Sequence, residues 1–266
     1  MNDIVNKDNL FCDEYRALIL LEYPKELALV KQAIELISSA VENINTTDTW
    51  SHEGICYMFA KSIADYLKMS YDNLQLGHFY ATQMIFRTIV ENIVCLDIIQ
   101  RNQKHDLWKY YLVQSFRDSL KSFGKDLDER TKKLLEDIYS THNIENEFLI
   151  KSKKKENQRP YAFIDKDYGW TYKINTDFTF SGLCKLIDQC EYKDFKLMST
   201  YSHGTSIHLK ISGFASMDNM MNMLSFYYYS LNRLAAMCCA KTIDPLFYKV
   251  VDKLERSITR YIKECK

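Results

Sequence analysis

From Pro24 onward, apolar residues recur every three or four positions at Leu27, Val30, Ile34, Ile37, Val41 and Ile44. This is the period of an amphipathic helix, with Pro24 in its first turn. The polar cluster at 45–49 predicts a turn, and a second helix follows through Ile55, Met58, Phe59, Ile63, Tyr66 and Leu67. The stretch Asn73 to Arg101 then predicts a long central helix, the most buried of the chain. Neither Gly nor Pro interrupts it after Gly77, and apolar residues occupy most of its circumference. Residues His105 to Phe123 predict a fourth helix closed by Gly124, and residues 127–142 a fifth. Periodicity fails over 144–180, where aromatics crowd the stretch from Tyr161 to Phe180 in an irregular loop or lid. It returns from Ser181 to Gln189, from Tyr192 to Tyr201, from Met217 to Ala240, and from Pro245 to Ile262 with Asp244 as N-cap.

Composition sharpens this into a fold class. Seven Gly and three Pro in 266 residues leave too few turn formers for a sandwich or barrel. The expectation is an all-α protein: one helical bundle domain over residues 1–266, with about eight to ten helices. Thirty-five basic residues balance thirty-five acidic ones, so any contact with nucleic acid or an anionic membrane must be a local patch. The run Lys151 to Lys155 is either such a patch or a solvated helix end. The first residues lack a basic segment ahead of an apolar core, and no window is apolar enough to span a bilayer, so a cytoplasmic location without membrane partners is expected. The eight cysteines show no Cys-x-x-Cys pair and read as reduced core residues.

Candidate chemistry begins with Arg87 and Glu91, four apart on the central helix, in a column with Tyr80, Met84, Val94 and Ile98. Charges in an apolar column need partners, since burying an unpaired ion costs several kcal/mol. The pair is expected to face inward and to meet a second segment. Residues 192–206 offer one, with Ser199 and His203 four apart near a predicted helix end and Tyr201 between them. No cofactor-binding loop and no metal-ligand set is visible: the glycines are scattered, and His203 and His208 lack a carboxylate at ligand spacing. Cys95 and Cys184 lie among apolar neighbours that raise a thiol pKa and disfavour a nucleophile.

At these residues the chain resembles an uncharacterised bacterial family of all-helical domains of unknown function, allied in look to the HEPN helical bundles. The resemblance covers residues 50 to 240. It rests on Arg87 and Glu91 on a long apolar helix, Trp108 and Tyr111 on an aromatic-rich helix, and Ser199, His203 and Gly204 in a Tyr-rich segment. It implies a HEPN-like core with extra helices, a homodimer, and activity as a metal-independent endoribonuclease of toxin or phage-defence type, with RNA as partner. The surplus of Met and Tyr on the helix from Met217 to Ala240 points to the same dimer. The HEPN motif places four to six residues between an Arg and a His, whereas the nearest match here, Arg101 to His105, has three. In the catalytic reading His203 takes the RNA 2′-hydroxyl proton and Arg87 stabilises the phosphorane. Glu91 protonates the leaving oxygen, and Ser199 and Tyr201 donate hydrogen bonds. The alternative is a non-catalytic protein-interaction or sensor module, in which Arg87, Glu91 and His203 form a structural polar cluster. The two differ in one observable: a ribonuclease needs a solvent-reachable groove beside Arg87 and His203, and a module buries both in a closed core.

Overall fold

The computed structural model describes residues 20–46, 48–123, 168–171, 173–174, 178–187 and 217–264, together with residues 17 and 133. Among them every regular element is helical and none is a strand, so the chain is all-α. The expected helices over 127–142 and 192–201, and the lysine run 151–155, lie outside the described residues. Two compact units are distinguished, one of Met1–Asn45, Tyr57–Ile93 and Cys190–Lys266, the other of Thr46–Cys56 and Val94–Gln189.

In the first unit, α1 (Pro24–Glu42) opens at Pro24 and turns Leu27, Val30, Ile34, Ile37 and Val41 into the core. It stops short of Ile44, because the Asn43 and Ile44 amides fold back onto the Ser39 and Val41 carbonyls and close the last turn. The next helix, α2 (His52–Gln75), runs past the predicted end and takes in Asn73. The central helix therefore begins at Phe79 rather than Asn73, as α3 (Phe79–Arg101). Gly77 sits at φ 75°; its amide bonds the Leu74 carbonyl at 3.0 Å, and the His78 amide bonds the Asn73 carbonyl at 2.9 Å. This is a Schellman closure, and the left-handed residue that it requires is the glycine.

Late in the chain, α6 (Met217–Leu234) is followed by a π-turn, Ala235–Cys239, which breaks the continuous helix expected to Ala240. Then α7 (Pro245–Glu264) starts where predicted, the Leu246 amide donating to Asp244 Oδ1 at 2.7 Å. Helices α1, α6 and α7 pack pairwise on one another. Between α1 and α7, Ser257 donates to the buried Glu26 carboxylate and Tyr23 meets Tyr261 edge-on at 5.7 Å. Of the Met and Tyr residues on which a dimer was expected, Met220, Met221, Met223 and Tyr227 are buried within the protein, while Tyr228 and Tyr229 stay half-buried beside the half-buried Phe226.

The second unit opens on the 48–51 turn, where Ser51 accepts from the Gly54 amide at 3.0 Å and so caps α2. After the last turns of α3 comes a 3₁₀ turn, Gln103–His105. Asp106 then adopts φ 50°, so α4 (Leu107–Phe123) starts two residues later than expected. Asp tolerates this left-handed geometry better than most residues. A second 3₁₀ turn, Gly169–Thr171, packs on α4, and the short α5 (Phe180–Leu186) is capped by Thr179, whose hydroxyl accepts from the Gly182 amide at 3.1 Å. Helix α5 ends before Gln189, the Ile187 amide closing on the Cys184 carbonyl.

Candidate functional site

On α3 the fully buried stripe runs through Thr82, Phe86, Ile89, Val90 and Ile93. Steps of about 100° per residue put Met84, Arg87 and Glu91 well away from this stripe. Met84 is 43% exposed, and Arg87 and Glu91 are each half-buried. Further along the same column Val94 and Ile98 are fully buried. The inward-facing column of the sequence reading is thus corrected. It starts at solvent, passes through partial burial at the two charges, and ends in a core. The guanidinium Nε of Arg87 is withdrawn from water, and both Arg87 and Glu91 take part in interactions of their own.

Ser199, Tyr201, His203 and Gly204 lie outside the described residues. The described candidates are therefore Arg87 and Glu91, with the aromatics Trp108 and Tyr111. Trp108 is buried on α4, and Tyr111 stands edge-on to Trp170 at 5.5 Å between ring centroids. The segment from Arg101 to His105 is committed locally. Arg101 Nε donates to Asp97 Oδ1 at 2.9 Å, one turn back on α3, and Asn102 Nδ2 donates to the Ile98 carbonyl at 2.9 Å. The Asp97 side chain is only 7% exposed, so Arg101 supplies the charge that this buried carboxylate needs.

Three polar arrangements escaped the sequence reading. In the first unit the hydroxyls of Ser70 and Tyr227 are hydrogen-bonded at 3.0 Å, and Ser70 also donates to the Leu67 carbonyl at 2.7 Å. Tyr227 is fully buried, and loss of water pushes its phenol well above the usual range. In the second unit Gln114 Oε1 accepts the Trp170 amide at 2.8 Å, with both residues buried. On the first turns of α2, Cys56 Sγ lies 3.9 Å from His52 Nε2. Burial pushes that thiol up to about 11, against a hydrogen bond from Gln100 that lowers it, so the Cys–His pair holds a thiol and not a nucleophilic thiolate. Gln114 did leave a signal, since it falls in register with Leu107, Tyr110 and Tyr111 on an otherwise apolar face.

Among the described residues no cluster of three His, Cys, Asp or Glu side chains is placed to hold a metal ion. Among them, too, no helix is long and apolar enough to cross a membrane.

No curated protein and no solved structure matches the chain. A model of a family of unknown function, DUF5677, matches residues 52–220. That span includes Arg87, Glu91, Trp108, Tyr111, Ser199, Tyr201 and His203, and leaves α1 and α7 outside it. With well over half of its length matched, the chain belongs to this family of unknown function.

Proposed function

We propose that this chain is a HEPN-like helical protein that cleaves RNA without a metal, with Arg87 as its fixed cation. One observation carries the reading. Arg87 and Glu91 stand one turn apart, half-buried, on a helix whose following turns are sunk in a core. A guanidinium held by such a scaffold meets a phosphate without reorganisation, which is the most effective form of electrostatic stabilisation. In the proposed reaction His203 takes the proton of the RNA 2′-hydroxyl, and the 2′ oxygen attacks phosphorus. The bond to the 5′ oxygen breaks, and Glu91 in its acid form protonates that oxygen, leaving a 2′,3′-cyclic phosphate. Arg87 stabilises the phosphorane, and Ser199 and Tyr201 donate hydrogen bonds to it. A cytoplasmic homodimer completes the proposal.

The test compares purified wild type, Arg87→Ala and His203→Ala on total RNA in EDTA. Cleavage by wild type, lost in both variants at nearly unchanged melting temperature, is the expected result. A second reading, the protein-interaction or sensor module with Arg87, Glu91 and His203 as a structural cluster, draws support from the burial of the Arg87 Nε. It expects intact RNA with wild type, and an Arg87→Ala variant destabilised by roughly 3–5 kcal/mol because a buried charge loses its partner.

A further inference from the structure

On α7 the basic residues Lys249, Lys253, Arg256, Arg260 and Lys263 alternate in steps of four and three. At 1.5 Å and about 100° per residue this is a straight row about 21 Å long, confined to roughly 80° of the helix circumference. All five are exposed, and no ion pair among the described residues engages any of them. Of the acids of α7, Asp252 and Glu255 fall on one flank of the row, where Glu255 hydrogen-bonds Tyr228 of α6, and Glu264 takes the register position on the other flank at the helix end. The opposite face, with Phe247, Val250, Val251, Leu254 and Ile258, is buried. The chain as a whole carries no net charge, so this cation row is a local feature and not part of a general basic field.

We propose that the exposed face of α7 is a docking surface for the phosphate backbone of folded RNA. A straight row of exposed cations, without an ion-pair partner among the described residues, matches the regular negative charge of a duplex stem. Lysine and arginine alone make up the row, without an aromatic to stack a base or an Asn or Gln to read one, so the contact is independent of sequence. A membrane surface fits less well, because an interfacial helix buries its apolar face in the bilayer and that of α7 is packed within the protein. An acidic protein partner fits less well too, since the row has no apolar centre for an interface to form around. The choice of RNA as the polyphosphate rests on the activity proposed above; the docking surface rests on α7. The row also lies outside the family-matched residues 52–220.

The experiment measures binding of a fluorescently labelled RNA hairpin to the full chain carrying His203→Ala, which keeps the RNA intact, in EDTA over a series of salt concentrations. Adding Lys253→Ala, Arg256→Ala and Arg260→Ala should weaken binding at least tenfold at low salt and reduce the logarithmic salt slope by about two to three. Three alanines at the exposed Lys31, Lys61 and Lys68 change the net charge equally and should leave both quantities near the starting values. A single Arg256→Glu exchange repeats the test with less perturbation. Unchanged binding by the α7 variants overturns the proposal. So does an equal loss in the control, or a protein that ignores the hairpin yet sediments with phosphatidylserine vesicles. Cleavage by wild type is read separately: binding through α7 without cleavage removes the nuclease and keeps the docking surface, and cleavage with α7-independent binding does the reverse.

Discussion

At the residue scale, the buried hydroxyl pair of Ser70 and Tyr227 ties α2 to α6. Tyr227→Phe and Ser70→Ala should each cost about 0.5–1.5 kcal/mol in urea unfolding, and the double variant less than their sum, because each single change already breaks the shared bond. Strict additivity would show that the pair contributes nothing as a pair. The buried thiols make a prediction about pH. Cys56 and Cys239 both ordinarily titrate at 9.0 and are pushed up to about 11 by burial. Between those values the folded state holds protons that the unfolded chain has released, so stability is complete below about pH 9 and falls as pH rises toward 11. Replacing both by Ala should flatten that alkaline decline, and an unchanged slope would assign it to other groups. These residues were only partly legible. A Cys inside an apolar repeat reads at once as core, whereas the partner of Ser70 lies 157 positions away on a helix that no local pattern connects to it.

At the scale of elements, two glycines set the geometry of α2. At Gly77 an added Cβ would strain the left-handed closure, so Gly77→Ala should cost about 1 kcal/mol, read as a lower urea midpoint. Gly54 matters for a different reason. A Cβ there would stand 2.3 Å from the Asp48 carbonyl oxygen and 2.5 Å from that of Thr49. Gly54→Ala should therefore cost on the order of 1–3 kcal/mol, more than Gly77→Ala, since backbone and not a flexible side chain is in the way. Equal effects at the two positions would contradict this account. The period of α2 and of α3 is the same, and this is why the sequence reading carried the central helix back to Asn73. The informative residue was Gly77, which ends one helix and does not sit inside another.

At the scale of the whole molecule, α1 and α7 lie outside the family-matched span, yet they share a core with α6. Five fully or nearly buried side chains of α7, from Phe247 to Ile258, each contribute about 1.5–3 kcal/mol of burial. Their sum rivals the net stability of an ordinary domain, about 5–15 kcal/mol. A chain ending at Ile243 should therefore be insoluble, or should bind a hydrophobic dye and lose its cooperative melt. A truncated chain that melts as sharply as wild type would show that the fold does not depend on α7.

The all-α class, the start and core face of α1 and the N-cap of α7 were legible in the chain alone, because these follow from local period, proline placement and capping chemistry. The sequence also singled out Arg87 and Glu91, since two charges in an apolar column stand out without any knowledge of the fold. How deeply that column is buried was not legible there and follows from packing. Met84, Arg87, Glu91 and Val94 share one helical face, and their passage from solvent to core depends on which helices cover each turn of α3. Helical period fixes which residues share a face, while burial depends on neighbours brought from distant parts of the chain. The same holds for Gln114 and Trp170. Their polarity and size were visible in the chain, but their bond exists only because a 3₁₀ turn 56 positions away packs against α4.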